Sequence, residues 1–293
     1  MVGRVPTPSS CSCLVCHPDP QYAELAAVKA VSQYGWSTLW VAGSLDVAYT
    51  VGVYHTFGQP ELVMFGLQGE DMAGWLNTAV ELGRDKGWPA PEEPFDGVID
   101  DFPTQVRDVH PSWYRALFGT ALSFYRGVAV PFRQLVWPAR NGRWPWDDEA
   151  TASSRVRQAF AWLPVAEHPE GAWRLVGEFG GEFPFPVGPD AWALTTRAVL
   201  DGSRPVARVA YDQGGYDILD ERGHAADDLC LAFLGDLVRR YPQLRECVDL
   251  ADGQVATASI DGDGRTVTGW TRAPLTAADR RASKRAWTLA EPV

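Results

Sequence analysis

Cys11, Cys13, Cys16 and His17 set three thiols and an imidazole within seven residues of a chain that holds only five cysteines. Soft sulfur and nitrogen donors at that density suit a covalent haem, a redox pair or a metal ion, and each chemistry makes its own demand. Cys13-Leu-Val-Cys16-His17 has the attachment spacing of c-type haem. Haem attachment follows export, however, and residues 1–10 hold Pro6 and Pro8 and no apolar core of a signal peptide. Disulfide pairing is disfavoured on the same ground, because the cytosol expected for such a chain is reducing. Zinc takes about four N and S ligands near tetrahedral geometry, and Cys-x-x-Cys is its usual half-site. Adjacent Cys16 and His17 rarely chelate one ion together. Cys11, Cys13 and Cys16 are therefore the candidate zinc ligands, with a fourth to come from His55, His110 or His168. The plainer alternative makes Cys13 and Cys16 small residues at the mouth of a helix, with His17 and Asp19 as capping groups.

The elements that must position these groups follow from periodicity and punctuation. Asp19 as N-cap, Pro20 at the first helical position and Tyr22, Leu25, Val28 and Val31 on one face predict a helix that stops before Gly35. Strands are expected over 36–43, 47–55 and 61–67, with a break at Gly43-Ser44. The third is apolar on both faces, which marks a central strand. Parity along 47–55 puts Tyr49, Val51, Val53 and His55 on one face. A helix over 72–82, strands near 95–100 and 105–110, and a helix from Pro111 to Tyr125 follow. A hairpin pairing 132–137 across Arg140-Asn141-Gly142-Arg143 completes the first domain, Asn-Gly being a strong turn signal. Tyr49, His55 and Glu61 on neighbouring strands, with Trp137 and Trp146 flanking the hairpin, form the candidate binding cleft. Otherwise His55 is a hydrogen-bonded core histidine and Glu61 a buried carboxylate that needs a partner, an arginine or a backbone amide.

The stretch 178–190 is too rich in Gly and Pro to lie inside an element and marks a domain junction. Beyond it, strands are expected over 191–200, 205–211 and 216–219, a helix over 225–240, and strands near 246–250, 255–260 and 266–270. Asp261-Gly-Asp-Gly264 is expected as a hairpin turn, because Arg272 stands where a calcium loop needs its closing carboxylate. The fold class is α+β in two domains, each a mostly antiparallel sheet with packed helices, over 11–175 and 190–270. Residues 271–293 form a tail with a short helix.

Composition narrows the function. A formal charge of -11 argues against nucleic-acid binding, which needs a basic surface. The basic stretch Arg280, Arg281, Lys284 and Arg285 is short and is expected on a solvated helix. No apolar run approaches the roughly 18–20 residues that span a bilayer, so a cytoplasmic location is expected. Thirteen Trp and 22 Pro include the pairs Trp88-Pro89, Trp137-Pro138 and Trp144-Pro145, which place indoles at strand ends as core edges or pocket walls.

Taken together, Ala48-Tyr-Thr-Val-Gly-Val53, His55, Gly58, Pro60-Glu-Leu-Val-Met-Phe-Gly-Leu67 and Trp75-Leu-Asn77 resemble the bacterial domain-of-unknown-function family 4262. Pro111-Ser-Trp-Tyr114, Phe124-Tyr125, Gln134-Leu-Val-Trp-Pro138, Asn141-Gly142 and Trp144-Pro-Trp146 extend the resemblance over about 11–170. It implies no particular activity. Cysteines near the start are common in that family, which favours a structural or metal role for Cys13 and Cys16 over haem. The second domain is similar to the immunity-protein 33-like group, domain-of-unknown-function family 2185, through Thr195-Thr-Arg197, 206–211, Asp212-Gln-Gly-Gly-Tyr216 and Asp252-Gly-Gln254. It departs where that group carries Asp-Ser-Gly-Trp. This likeness implies a small α+β module that binds a protein partner.

Gly-x-Ser-x-Gly, Walker, Rossmann and His-Glu-x-x-His patterns are absent. The expectation is a non-catalytic binding module of immunity or defence type. The alternative is an enzyme of unfamiliar type, using zinc at the cysteine cluster or a flavin. The order of the first strands is similar to that of flavin-reductase split barrels, an analogy of fold alone.

Overall fold

In the computed structural model, residues 11–41, 45–220, 224 and 228–292 are described, the side chains of 152–154 excepted. The break at Gly43-Ser44 and the start of the helix expected from Ala225 lie outside them.

The first helix is interrupted. Asp19 caps a single 3-10 turn, Pro20–Tyr22, by accepting from the Gln21 amide at 3.0 Å. Helix α1 (Ala26–Tyr34) starts after it and stops at Gly35. It buries Ala27 and Val31, whereas Tyr22 and Leu25 from the expected apolar face stay exposed. Strand β1 (Ser37–Val41) pairs antiparallel with β2 (Val47–Val51). The strand expected to reach His55 ends at Val51. Gly52 turns the chain with φ of 105°, where a Cβ would lie 2.6 Å from Val31 Cγ2, so only glycine fits both the conformation and the space. Residues Val53–Phe57 then coil into helix α2, and His55 rides on a helix instead of sharing a strand face with Tyr49.

Strand β3 (Glu61–Phe65) is buried along its whole length, as a central strand should be. Alternation sends Leu62 and Met64 into a core with Met72, Leu76 and Val80 of helix α3 (Gly69–Lys86). Val63 and Phe65 enter a second core with Trp113, Phe118, Phe132 and Trp173. Strand β4 (Gln105–Asp108) is followed by a 3-10 turn at Pro111–Trp113, then α4 (Tyr114–Leu117) and α5 (Gly119–Phe124). Strand β5 (Phe132–Val136), α6 (Ala152–Arg157) and α7 (Ala172–Phe179) complete the unit. The sheet order is β1-β2-β3-β5-β4, antiparallel except for the β3–β5 pair.

Four expectations for this unit change. Residues 95–100 make a single isolated bridge, Ile99 to Phe102, and no strand, because Gly97 takes a left-handed φ of 82° that breaks the extended run. The helix from Pro111 breaks at Phe118, whose ring stacks on Phe132 with centroids 3.8 Å apart. Asn141-Gly142 makes a tight turn but closes no hairpin. β5 takes β3 and β4 as partners, while Pro138 and Pro145 withhold backbone donors from the segment beyond it. The sheet is open, with β1 and β4 at its edges, and not a split barrel.

The second unit begins at Glu182. In chain order it contains β6 (Trp192–Thr196), α8 (Arg197–Leu200), β7 (Arg208–Asp212), β8 (Gly215–Leu219), β9 (Leu229–Phe233) and α9 (Leu234–Arg240). After these come β10 (Gln254–Ile260), β11 (Val267–Pro274), α10 (Ala277–Leu289) and β12 (Glu291–Pro292). Its seven strands run β11-β10-β7-β8-β6-β9-β12, with β6–β8 and β9–β12 parallel and the rest antiparallel. The helix expected over 225–240 is half strand, because Cys230 and Ala232 alternate inward along β9 before α9 begins. The strand expected at 246–250 is replaced by a 3-10 helix, Pro242–Cys247. The strand expected over 191–200 stops at Thr196, whose hydroxyl caps α8 by accepting from Val199 N. The turn at Asp261 to Gly264 joins β10 to β11 as expected. Helix α10 opens with a Thr276/Asp279 capping box, buries no residue and carries the basic stretch on its surface.

The fold is thus α+β in two parts with mostly antiparallel sheets. No helix among the described residues is long and apolar enough to cross a membrane. The division falls at Gly181/Glu182, where Gly180 and Gly181 both take positive φ and Glu182 is exposed. A glutamate-specific protease should therefore make its first cut within 178–190 and leave two folded fragments. First cuts inside 61–67 would refute this.

Candidate metal centre

Within the first unit, the short segment from Cys11 to His17 is pinned near the end of α5 by hydrogen bonds to its backbone. Leu14 N donates to Phe124 O at 2.9 Å and Arg126 Nη1 to His17 O at 3.1 Å. Cys11, Cys13 and Leu14 are buried in the same core as Trp113. Between Cys13 and Cys16 the chain makes a knuckle in which the Cys16 amide faces Cys13 Sγ at 3.5 Å and His17 N donates to Cys13 O at 2.9 Å. Across from it, α2 presents His55, with Nδ1 at 3.7 Å from Cys11 Sγ, 3.3 Å from Cys13 Sγ and 3.5 Å from Cys16 Sγ.

All four donor atoms lie within 4.8 Å of one another, an arrangement that could hold a metal ion. The distances can be tested against a real ion. Metal–sulfur bonds of about 2.3 Å and metal–nitrogen bonds of about 2.0–2.1 Å at tetrahedral angles put S and N about 3.5 Å apart. The three measured S···N separations bracket that value. A dinuclear iron–sulfur cluster divides its ligands between two irons and spreads them further. Burial is the first cause that pushes the thiols of Cys11, Cys13 and Cys16 above their ordinary pKa, and a bound cation is what would hold such groups as thiolates.

His55 is held by a polar network below it. Glu61, at the start of β3, is fully buried. Its carboxylate accepts from Thr50 Oγ1 at 2.6 Å, Gly52 N at 2.8 Å, Tyr54 N at 3.1 Å and Val53 N at 3.3 Å, and from the Tyr125 hydroxyl. That hydroxyl also accepts from Gly52 N at 3.2 Å and His55 N at 3.4 Å. One carboxylate and one hydroxyl thus satisfy the amides of Gly52, Val53, Tyr54 and His55, the free donors at the start of α2. Burial raises the Glu61 pKa against the pull of Thr50, Tyr125 and the amides. Burial, then the Glu61 charge, keeps Tyr125 protonated and donating. The amide partners of Glu61 are of the kind expected from the sequence. Tyr125 was not foreseeable, since 64 residues separate the pair.

The other residues singled out lie elsewhere. Tyr49 is buried, edge-on to Phe118 and Phe132. Trp137 belongs to the core on the opposite face of the sheet, its indole donating to Phe65 O at 2.9 Å. Trp146 stacks on Trp144 and receives the Arg107 guanidinium at 4.0 Å. The structure therefore brings His55 and Glu61 together around α2 but does not gather all five residues into one cleft. His17 is exposed and outside the cluster. His110 caps the turn at Pro111, accepting from Ser112 N at 3.2 Å.

His168 is also engaged. Its Nε2 accepts from the Phe160 amide at 3.0 Å and its Nδ1 donates to Pro169 O at 2.8 Å, which requires the neutral ring. Burial is the main cause that holds its pKa below the ordinary value, with Arg174 adding to it. The unfolded chain then takes up the proton more readily than the folded one. The contribution of the neutral ring is complete above about pH 6.5 and is lost as pH falls from there toward the folded pKa. Melting temperature should fall between pH 7 and pH 5, and should fall less in a His168→Gln variant. Equal falls would assign the acid sensitivity to other groups.

The first unit is thus an α+β domain with a Cys3His donor set at one end of its sheet. Residues 30–151 match the family model described as domain of unknown function (DUF4262). No curated protein and no solved structure matches the chain. The family match is narrower than the likeness expected over 11–170. It includes His55, Glu61 and Tyr125, begins after the three cysteines and ends before the second unit.

Proposed function

We propose that the protein is a non-catalytic binding module whose first unit is stapled by a structural zinc ion on Cys11, Cys13, Cys16 and His55. The carrying observation is the donor set itself, in which four protein atoms from two segments at least 39 residues apart lie within 4.8 Å of one another and the three S···N separations suit tetrahedral coordination. Catalytic zinc keeps a position open for water or substrate, whereas structural zinc has all four filled by protein. The ion's task here is to tie the Cys11–Cys16 knuckle to α2. Among the described residues of this unit, the buried carboxylate of Glu61 and the buried imidazole of His168 are both engaged in hydrogen bonds within the fold. The sequence resemblance of Thr195-Thr-Arg197, Asp212-Gln-Gly-Gly-Tyr216 and Asp252-Gly-Gln254 to the immunity-protein 33-like group is the sole support for extending this reading to a protein partner and a role in immunity or defence. Metal analysis of the purified chain by plasma mass spectrometry should give about one zinc per molecule. A metal-free protein that takes up no zinc would refute the staple, and an open coordination position seen by X-ray absorption would favour the zinc enzyme.

A further inference from the structure

A second site of different chemistry lies at the other end of β3. The segments leaving the carboxyl ends of the parallel strands β3 and β5, Leu67 after the first and Trp137 to Arg140 after the second, line a groove of about 690 Å³. Glu61 and α2 sit at the opposite end of β3, so a five-residue strand, about 13 Å at roughly 3.3 Å per residue, separates this groove from the cysteine cluster. Crevices at the carboxyl ends of parallel strands are where open sheets hold ligands, because the chain leaves neighbouring strands in different directions. The volume falls within the roughly 300–1,000 Å³ typical of small-molecule sites.

The lining chemistry selects the ligand. Trp75 of α3, Phe102 and Trp137 supply aromatic surface. The Trp137 indole N–H is already given to Phe65 O, so that ring offers apolar surface and no donor. The charged lining consists of Arg140, Arg157 and Asp100. Both arginines are exposed, and neither guanidinium has a hydrogen-bond or ion-pair partner among the described residues. Two cations against one carboxylate make the groove locally positive on a chain of formal charge -11. A guanidinium is a planar fork of donors that matches carboxylate and phosphate oxygens.

We infer that this groove binds a small organic anion with a flat apolar body, its ring against the aromatic wall and its carboxylate or phosphate on Arg140 and Arg157. The site is independent of the metal reading, since no groove residue belongs to the Cys3His set. It would supply the binding module with a small-molecule ligand.

Calorimetric titration of the full chain with 2-naphthoate, 2-naphthyl phosphate and the neutral 2-naphthylmethanol tests this. At least one anion should bind about tenfold or more tightly than the alcohol, and the better of the two identifies the head group. The double variant R140A/R157A should lose about tenfold or more for that anion and change little for the alcohol. Both side chains are exposed and have no partner among the described residues, so the variant should keep its melting temperature and metal content. A Cys13→Ser protein that has lost its metal but remains folded should still bind the anion, which separates failure of the groove from failure of the metal centre. The inference is overturned if neither anion binds, if the alcohol binds as well, or if the double variant binds the anion like the parent.

Discussion

Cys13→Ser should release the metal ion and lower the melting temperature of the first unit by about 10 °C. Structural zinc contributes roughly 10–16 kcal/mol of apparent binding energy in small peptides that do not fold without it. The first unit has two hydrophobic cores of its own on either side of β3, so only part of that energy is needed to keep it folded. A loss of about 3–5 kcal/mol, at roughly 2–4 °C per kcal/mol for a unit of this size, gives the expected shift. His55→Ala should do the same, because it removes the ligand that joins the knuckle to α2. 1,10-Phenanthroline added to the parent protein should reproduce both. If His55 were a core histidine and nothing more, its loss would cost about 1–3 kcal/mol through unpaired groups and leave metal content unchanged. Cys230 and Cys247 are buried in the second unit, and their replacement should not alter metal content. A parent protein whose melting ignores the chelator would return Cys13 and Cys16 to the role of small buried residues.

Three cysteines at this spacing read as a candidate metal half-site without any structure, because Cys-x-x-Cys brings two sulfurs together by local geometry alone, although small residues at a helix mouth would fit the same spacing. The fourth donor was undecidable among His55, His110 and His168, since that choice depends on where Gly52 turns the chain. Alternation read through the glycine put His55 on a strand, and the left-handed φ at Gly52 overrides it by starting a helix after Val51. β3 was legible because both its faces are apolar, a pattern with few other solutions. Leu229 to Phe233 was not, because a short apolar run ahead of a helix fits either period, and its pairing with β6 decides the outcome. The proposed cleft asked Tyr49 and Trp137 to meet, yet they belong to cores on opposite faces of one sheet. Neighbouring strands in sequence do not make neighbouring side chains in space. The need of Glu61 for partners was legible from its place in a buried run, whereas Tyr125 lies 64 residues on, just after α5, and only packing reveals it.

Glu61→Gln should destabilise the first unit by roughly 3 kcal/mol or more and weaken metal binding about tenfold, although Glu61 is not a ligand. Every group that faces the carboxylate is a donor: the Thr50 hydroxyl, the amides of Gly52, Val53 and Tyr54, and the Tyr125 hydroxyl. An ionised carboxylate only accepts, so it suits all of them, and its charge is favourable at the start of a helix. Glutamine of the same shape turns one end of that group into a donor aimed at donors, leaving buried amides unmatched at about 1–3 kcal/mol each. The start of α2 then loosens, and His55 with it. Groups that orient a metal ligand from behind typically alter affinity about 10- to 100-fold. Tyr125→Phe should have a smaller effect, about 1–2 kcal/mol, because it removes the hydroxyl that accepts from Gly52 and His55 but leaves the carboxylate in place. The readout that separates positioning from general stability is zinc affinity, measured by competition with a chromophoric chelator at a temperature where each variant is fully folded. If Glu61→Gln melts early yet holds zinc like the parent, the carboxylate supports the core alone and His55 finds its place without it.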